Sequence, residues 1–370
     1  MPIYMDNAAS TKVKPNVLAK FNEVAESLYG NPSSEHSAGR EARGEIDSAS
    51  KIIGQKINCN PDDIFYTSGA TMSNNVLIQG VLRRHPETMF ITSTVEHNDI
   101  MELYDWLPYS KRLVDVDKNG LININELWNI LADCEFNNKP CLVSIQMANS
   151  ETGVIQPIKE ISSMVHEYGG YLHVDATQYI PYYPVDVKKM GIDSLSMSGQ
   201  KIGGLKGCGL FYICQTLQDN ITPIIFGEQG LIGGTPATPL IASFGEAFKE
   251  IDYDISSLRD KRDILLSHLQ DMGGVLVGSR DNRLPNNIYI RFPGVRGLNL
   301  MYLLDEQNIQ IGTGSACSTD SDKPSHVALA YGLSDEEAFE CVRFTLSNEN
   351  TYEEIEYVAK VLNGILPLIK

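Results

Sequence analysis

Lys201 sits in Ser196-Met197-Ser198-Gly199-Gln200-Lys201-Ile202-Gly203-Gly204, a turn of small residues. The preceding Asp193-Ser194-Leu195-Ser196-Met197 alternates apolar and polar residues and reads as a short, half-buried strand. Lysine usually decorates solvated faces, so an amine rooted among glycines at a strand end has two readings. One is an ordinary surface lysine in a loop. The other is a Schiff-base lysine, which needs a fixed root, room for a flat partner and neighbours that lower its pKa.

Two other strand ends bear on the choice. Thr67-Ser68-Gly69-Ala70-Thr71 joins a strand to a helix through small residues. The amides of that helix start, with Ser68 and Thr71, form a phosphate cradle, although any strand–helix turn favours such residues. His173-Val174-Asp175-Ala176-Thr177-Gln178 puts an acid at the C-terminal end of a buried strand, where open α/β sheets bind ligands. A carboxylate there can pair with a pyridinium N–H and keep the ring an electron sink. His173 and Asp175 also share a strand face and could begin a metal site, but no third ligand lies near them in sequence. Cradle, acid and lysine, each at a strand end, follow the order of a pyridoxal-phosphate enzyme built on a parallel sheet.

The elements that must position these groups alternate along the chain. Asp63–Thr67, Met89–Thr92, Cys141–Ile145, Tyr171–Asp175 and Gly209–Ile213 read as strands. Helical stretches fall between them, at Ser73–Leu82 and at Ile158–Tyr168, which stops at Gly169-Gly170. That alternation implies a mostly parallel sheet covered by helices. From about Leu258 a long helix, short strands such as Asn287–Arg291 and a charged C-terminal helix read as a second, smaller α+β domain.

Asp115-Val116-Asp117-Lys118-Asn119-Gly120 with Glu126 matches a calcium-loop pattern in full. Such a loop needs an entering helix, whereas Pro108–Val114 reads as an irregular stretch running into a strand. Strand, turn and a helix from Ile124, capped by Asn123 or Asn125, is the better account.

Composition narrows the setting. A length of 370 residues suits two domains, and a net charge of −17 argues against nucleic acid or an anionic membrane as the main partner. No apolar run approaches the roughly 18 residues of a membrane span, and the N-terminus lacks signal-peptide features. Seven scattered cysteines without a C-x-x-C pair indicate a reduced, cytoplasmic protein with no zinc or iron–sulfur framework.

The chain resembles the cysteine desulfurases of the NifS/IscS kind within the class V aminotransferases, nearly end to end. The matching segments include Tyr4-Met5-Asp6-Asn7-Ala8-Ala9-Ser10-Thr11, Gly30-Asn31-Pro32-Ser33-Ser34, Ser68–Thr71, Glu96-His97, His173–Gln178, the lysine turn, Gly314-Ser315-Ala316-Cys317 and Val342–Ser347. The resemblance implies the fold type I architecture of pyridoxal 5'-phosphate enzymes. Residues 15–257 would form a large domain with a mostly parallel seven-stranded sheet, and 1–14 with 258–370 a small α+β domain. It implies that Lys201 holds the cofactor and moves protons, Asp175 faces the ring nitrogen, Gln178 approaches the ring hydroxyl and His97 stacks on the ring. Ala70, Thr71 and Ser198 would hold the phosphate, joined by Thr235 from the second subunit of a homodimer, with Ser150 and Gln200 also beside the cofactor. Arg343 and Asn31 would bind the substrate, L-cysteine, and Cys317 would take its sulfur as a persulfide for an acceptor protein. Cys317 itself lies among glycine, small polar residues and acids, which suits an accessible nucleophile; Asp320 and Asp322 would tend to raise its pKa.

Several positions depart from the family pattern. Gln200 stands where the family has histidine, and an amide can donate a hydrogen bond but cannot transfer protons. Ser150 replaces asparagine, Met72 replaces glutamate, and Gln229 and Ile232 replace two arginines. These changes leave open a selenocysteine, cystine or other amino-acid substrate, or a non-catalytic sulfur-relay scaffold.

Overall fold

The computed structural model describes residues 2–227, 230–314 and 323–369. Seven strands form the main sheet: β2 (Ile64–Thr67), β3 (Met89–Ser93), β4 (Lys111–Val114), β5 (Cys141–Gln146), β6 (Tyr171–Asp175), β7 (Ser194–Ser198) and β8 (Gly209–Ile213). A short N-terminal strand, β1 (Ile3–Met5), precedes them. The order β2-β8-β7-β6-β5-β3-β4 is parallel throughout except for β8, which runs against both β7 and β2. Two smaller sheets follow: β12 (Cys341–Thr345)–β10 (Asn287–Arg291)–β9 (Val275–Leu276), and β1 beside β11 (Ile309–Ile311).

The two faces of the main sheet differ in chemistry because successive strand residues point to opposite sides. Ile91, Val143, Ile145, Leu172, Val174, Leu195, Met197 and Leu210 share one apolar cluster. Phe90, Leu142, Phe211 and Ile213 belong to another with the helix Ala70–Arg84. On that second parity the middle strands turn polar: Ser144, His173 and Ser194 align across β5, β6 and β7, and so do Gln146, Asp175 and Ser196. All six are buried. Buried polar groups need partners, and Asn74 of the helix supplies them to His173, Asp175 and Ser196, whereas Ser144 Oγ has none among the described residues.

A third cluster, from Met5 through Leu269, Ile290, Phe344 and Leu362, packs the helices Ser256–Asp271 and Tyr352–Ile369 on the smaller sheets. The N-terminal segment stitches these parts together. Asp6 bridges to Thr345, the Asn7 side chain donates to the Thr345 carbonyl at 2.8 Å, and the Thr11 amide donates to the Gln200 carbonyl at 3.0 Å.

The calcium-like stretch folds as strand, turn and helix. β4 enters it, Asp117 Oδ1 accepts the amides of Asn119 and Leu121 at 2.9 and 3.0 Å, and Asn123 caps Ile124–Phe136. The Asp117 and Glu126 carboxylates are taken up by the loop's own amides.

Candidate active site

Lys201 ends a tight turn, Gly199–Lys201, that leaves β7. Its Nζ donates to the carbonyls of Ala8 and Ala9 at 2.7 and 2.5 Å, and Gln178 Nε2 donates to the same Ala8 carbonyl at 3.0 Å. Gln200 joins this wall through its backbone, since its carbonyl accepts from Thr11 Oγ1 at 2.9 Å. Lys201 also lines a cavity of about 380 Å³ with Tyr4, Lys14, Tyr182, Glu250 and Asn350, a space that Asp175, His97 and Thr71 do not line.

At the end of β6, Asp175 is buried and accepts from the Thr177 amide at 2.9 Å and from Asn74 Nδ2 at 3.2 Å. Burial, and secondarily Asp99, raise its pKa above the usual carboxylate value. Asn74 Nδ2 also donates to Asp99 Oδ2 at 3.2 Å, while its Oδ1 accepts from Ser196 Oγ at 2.5 Å and lies 3.0 Å from His173 Nε2. That pairing places the His173 proton on Nε2 and leaves Nδ1 to accept from Ser194 Oγ at 2.9 Å. Burial holds the His173 pKa down at about 3, so the ring is neutral. Both nitrogens are thereby engaged in hydrogen bonds, one to β7 and one to the covering helix.

His97 caps the helix Asn98–Trp106, and its Nδ1 lies 2.8 Å from Asp99 Oδ1. Burial alone would raise the Asp99 pKa, but hydrogen bonds from His97, Thr71 and Asn74 hold it below the usual value. His97, Asp99, Asn74 and Asp175 therefore form one continuous hydrogen-bonded chain.

The turn after β2 leads into the helix Ala70–Arg84, which no side chain caps at Gly69. A Cβ on Gly209 would come within 2.5 Å of Gly69 Cα, and one on Gly69 would sit 3.6 Å from Ser198 Oγ. The amides at Ala70 and Thr71 and the Ser198 hydroxyl thus border one glycine-lined hollow. Ser68, included in the expected cradle, turns elsewhere: its Oγ lies 3.3 Å from Met72 Sδ. The methionine that replaces the family's glutamate supplies that partner.

Arg343 is buried on β12. Nη1 donates to the Ser150 carbonyl at 2.9 Å and Nη2 to Asp6 Oδ1 at 2.7 Å, while Nε has no partner among the described residues. Ser150 meets the site through this carbonyl. Asn31 is exposed and its Oδ1 accepts the Ser33 amide at 2.9 Å; no contact joins it to the other site residues among those described. Thr235 is exposed, and Ile232 packs against the cluster that contains Phe90. Cys317, Asp320, Asp322 and Gln229 lie outside the described residues.

Sequence reasoning passed over Asn74, Asp99, Asp6 and Glu151. Asp99 carried a usable signal, an acid two residues beyond a histidine at a helix start. The others become visible only once distant segments meet.

A mostly parallel sheet with a buried acid ending β6 and a lysine in the turn after β7 has the build of a fold type I pyridoxal-phosphate enzyme. The chain belongs to the aminotransferase class-V family, whose model matches residues 3–358. It is 36% identical to a mitochondrial cysteine desulfurase of Saccharomyces cerevisiae, over 100% of this chain and 76% of that protein. It is 35% identical to cysteine desulfurase IscS of Dictyoglomus turgidum, over 100% of this chain and 95% of the other. A solved NifS-like protein superposes with a TM-score of 0.91 at 30% identity, covering 100% of both chains.

Pyridoxal 5'-phosphate is the cofactor of such enzymes, and the residues in place fit it. The uncapped helix start at Gly69 suits a phosphate, and the buried Asp175, which has no ion pair among the described residues, suits a protonated ring nitrogen.

Proposed function

We propose that this chain is a cysteine desulfurase that converts L-cysteine to L-alanine and passes the sulfur to an acceptor protein. The observation that carries this reading is at Arg343. Its guanidinium, whose Nε has no partner among the described residues, has the planar donor set that pairs with a substrate carboxylate, and its backbone exchanges two hydrogen bonds with Gly312, at 3.0 and 2.8 Å. An amino acid held there lies beside the strand that leads to Cys317, five residues further on.

In the balanced reaction the substrate's C–S bond breaks and its β-carbon gains a proton. The sulfur atom joins the Cys317 thiolate in a new S–S bond, so cysteine and a thiol become alanine and a persulfide. The cofactor, when bound, supplies the electron sink that makes the substrate's α-proton acidic. Asp175 holds the proton at the ring nitrogen, and the chain from Asn74 to His97 keeps that carboxylate aimed. Ala70, Thr71 and Ser198 would hold the phosphate, joined by Thr235 from the second copy of a homodimer. Lys201 Nζ, steered by the Ala8 and Ala9 carbonyls, carries the protons; Gln200 offers a hydrogen bond and leaves that task to the lysine.

Residues 15–257 supply the cofactor side and 1–14 with 258–370 the sulfur side in this reading, in a cytoplasmic enzyme. The test is a visible spectrum before and after adding cysteine, together with alanine and persulfide analysis of Cys317→Ala. The variant should keep its coloured band and form no persulfide; full sulfur release by it would refute the mechanism.

A further inference from the structure

Glu151 is a buried carboxylate to which the reaction above gives no part. Its backbone is fixed on both sides: the amide donates to Asn149 Oδ1 and the carbonyl accepts from Asn287 Nδ2, each at 2.9 Å. Its Oε2 accepts from Ser325 Oγ at 2.6 Å. The same oxygen faces Gly314, where any Cβ would overlap both it and the Tyr289 hydroxyl. Gly314 and Ser325 thus approach one carboxylate from the two sides of residues 315–322, and Cys317 follows Gly314 by three positions. The neighbouring Ser150 carbonyl receives Arg343 Nη1 at 2.9 Å, so one short stretch touches both the carboxylate clamp and the roots of the cysteine segment.

We propose that Glu151 is a positioning residue for sulfur transfer: it anchors Ser325 and seats Gly314, and so sets the reach of Cys317 relative to a substrate on Arg343. This rests on the desulfurase reading. Ser325 serves two ends at once, since its Oγ also accepts the Ala328 amide at 3.2 Å and caps the helix His326–Ala330. An anchor of this kind acts on geometry at the reacting sulfur, where a displacement of about 1 Å costs on the order of 100-fold.

The test compares holoenzyme of the wild type with S325A, E151A and E151Q. Cysteine binding is read from the change in the visible spectrum. Sulfur transfer is read in a single turnover, as Cys317 gains the mass of one sulfur atom. The expected result is binding within about 2-fold of wild type and transfer slowed by roughly 10-fold or more in S325A and E151A. E151Q, which keeps an acceptor for Ser325, should recover most of the loss. Unchanged transfer in S325A and E151A would overturn the proposal, as would binding and transfer falling in step, which would assign Glu151 to the Arg343 clamp. If E151A does not fold, S325A and E151Q decide the matter. A wild type that transfers no sulfur sinks the desulfurase reading itself; a wild type that does, with unaffected variants, sinks only the role of Glu151.

Discussion

At Asn74 a single side-chain amide meets Asp99, Asp175, His173 and Ser196. Removing it would leave two carboxylates and a neutral imidazole short of partners in a buried place, where each unmet group costs about 1–3 kcal/mol. Asn74→Ala should therefore lower unfolding free energy by roughly 2–4 kcal/mol in a urea titration. It should also weaken cofactor retention, because Asp175 loses its aim. Arg343 makes a different case, since its worth lies in planar, multi-donor geometry. Arg343→Lys should raise KM for cysteine by about 10- to 100-fold in steady-state assays, with a smaller change in kcat. Lys201 and Asp175 were legible in the sequence because their types are out of place at strand ends. Asn74 and Glu151 were not, because an asparagine within a helix and a glutamate in a loop are ordinary until the strands beneath them are known.

The strands and helices around the site explain why its pieces converge. β7 runs only two residues past Ser196, the register partner of Asp175, so Asp175 and Ser198 lie at the same edge, and the helix from Ala70 starts beside Gly209 at the head of β8. Apolar runs bounded by turn residues made most of these strands readable, and Tyr171–Asp175, Gly209–Ile213 and Asn287–Arg291 have the expected limits. Direction was not readable. Nothing in the pattern of Gly209–Ile213 distinguishes an antiparallel neighbour from a parallel one, and the pairing of β1 with β11 joins segments about 300 residues apart, beyond any local periodicity. The close approach at Gly209 yields a test at this scale. In Gly209→Ala the new methyl must displace the backbone of Gly69, at a cost of about 1–3 kcal/mol. Since that backbone opens the hollow proposed for the phosphate, the cofactor dissociation constant should rise by roughly 10-fold in a reconstitution titration. An unchanged constant would place the phosphate elsewhere.

Over the whole molecule, the buried ionisable groups set how stability follows pH. Burial pushes Glu96 up to about 8 and Glu151 to about 7, from an ordinary 4.5. Ser93 and Gln146 face Glu96 and lower its pKa, while Asp175 and Asp99 raise it. Ser325, Arg343, Tyr289 and His97 all act to lower that of Glu151. In both cases the folded chain binds a proton that the unfolded chain has lost. Stability contributed by these groups is therefore present below pH 4.5 and declines as pH rises toward 7 and 8. His173 works the other way: burial lowers it from 6.5 to about 3, so its contribution increases over that interval. The single histidine slope offsets only one of the two carboxyl slopes up to about pH 6.5, and above it only the carboxyl terms remain. Urea unfolding of the cofactor-free chain should give a stability that falls by about 2 kcal/mol from pH 5 to 6.5 and by about as much again by pH 8. The net charge of −17 adds a repulsion that salt screens, whereas the buried carboxyls are screened far less. Glu96→Gln should accordingly remove most of the decline above pH 7 at any ionic strength. A decline that disappears in salt and persists in Glu96→Gln would trace it to surface repulsion instead.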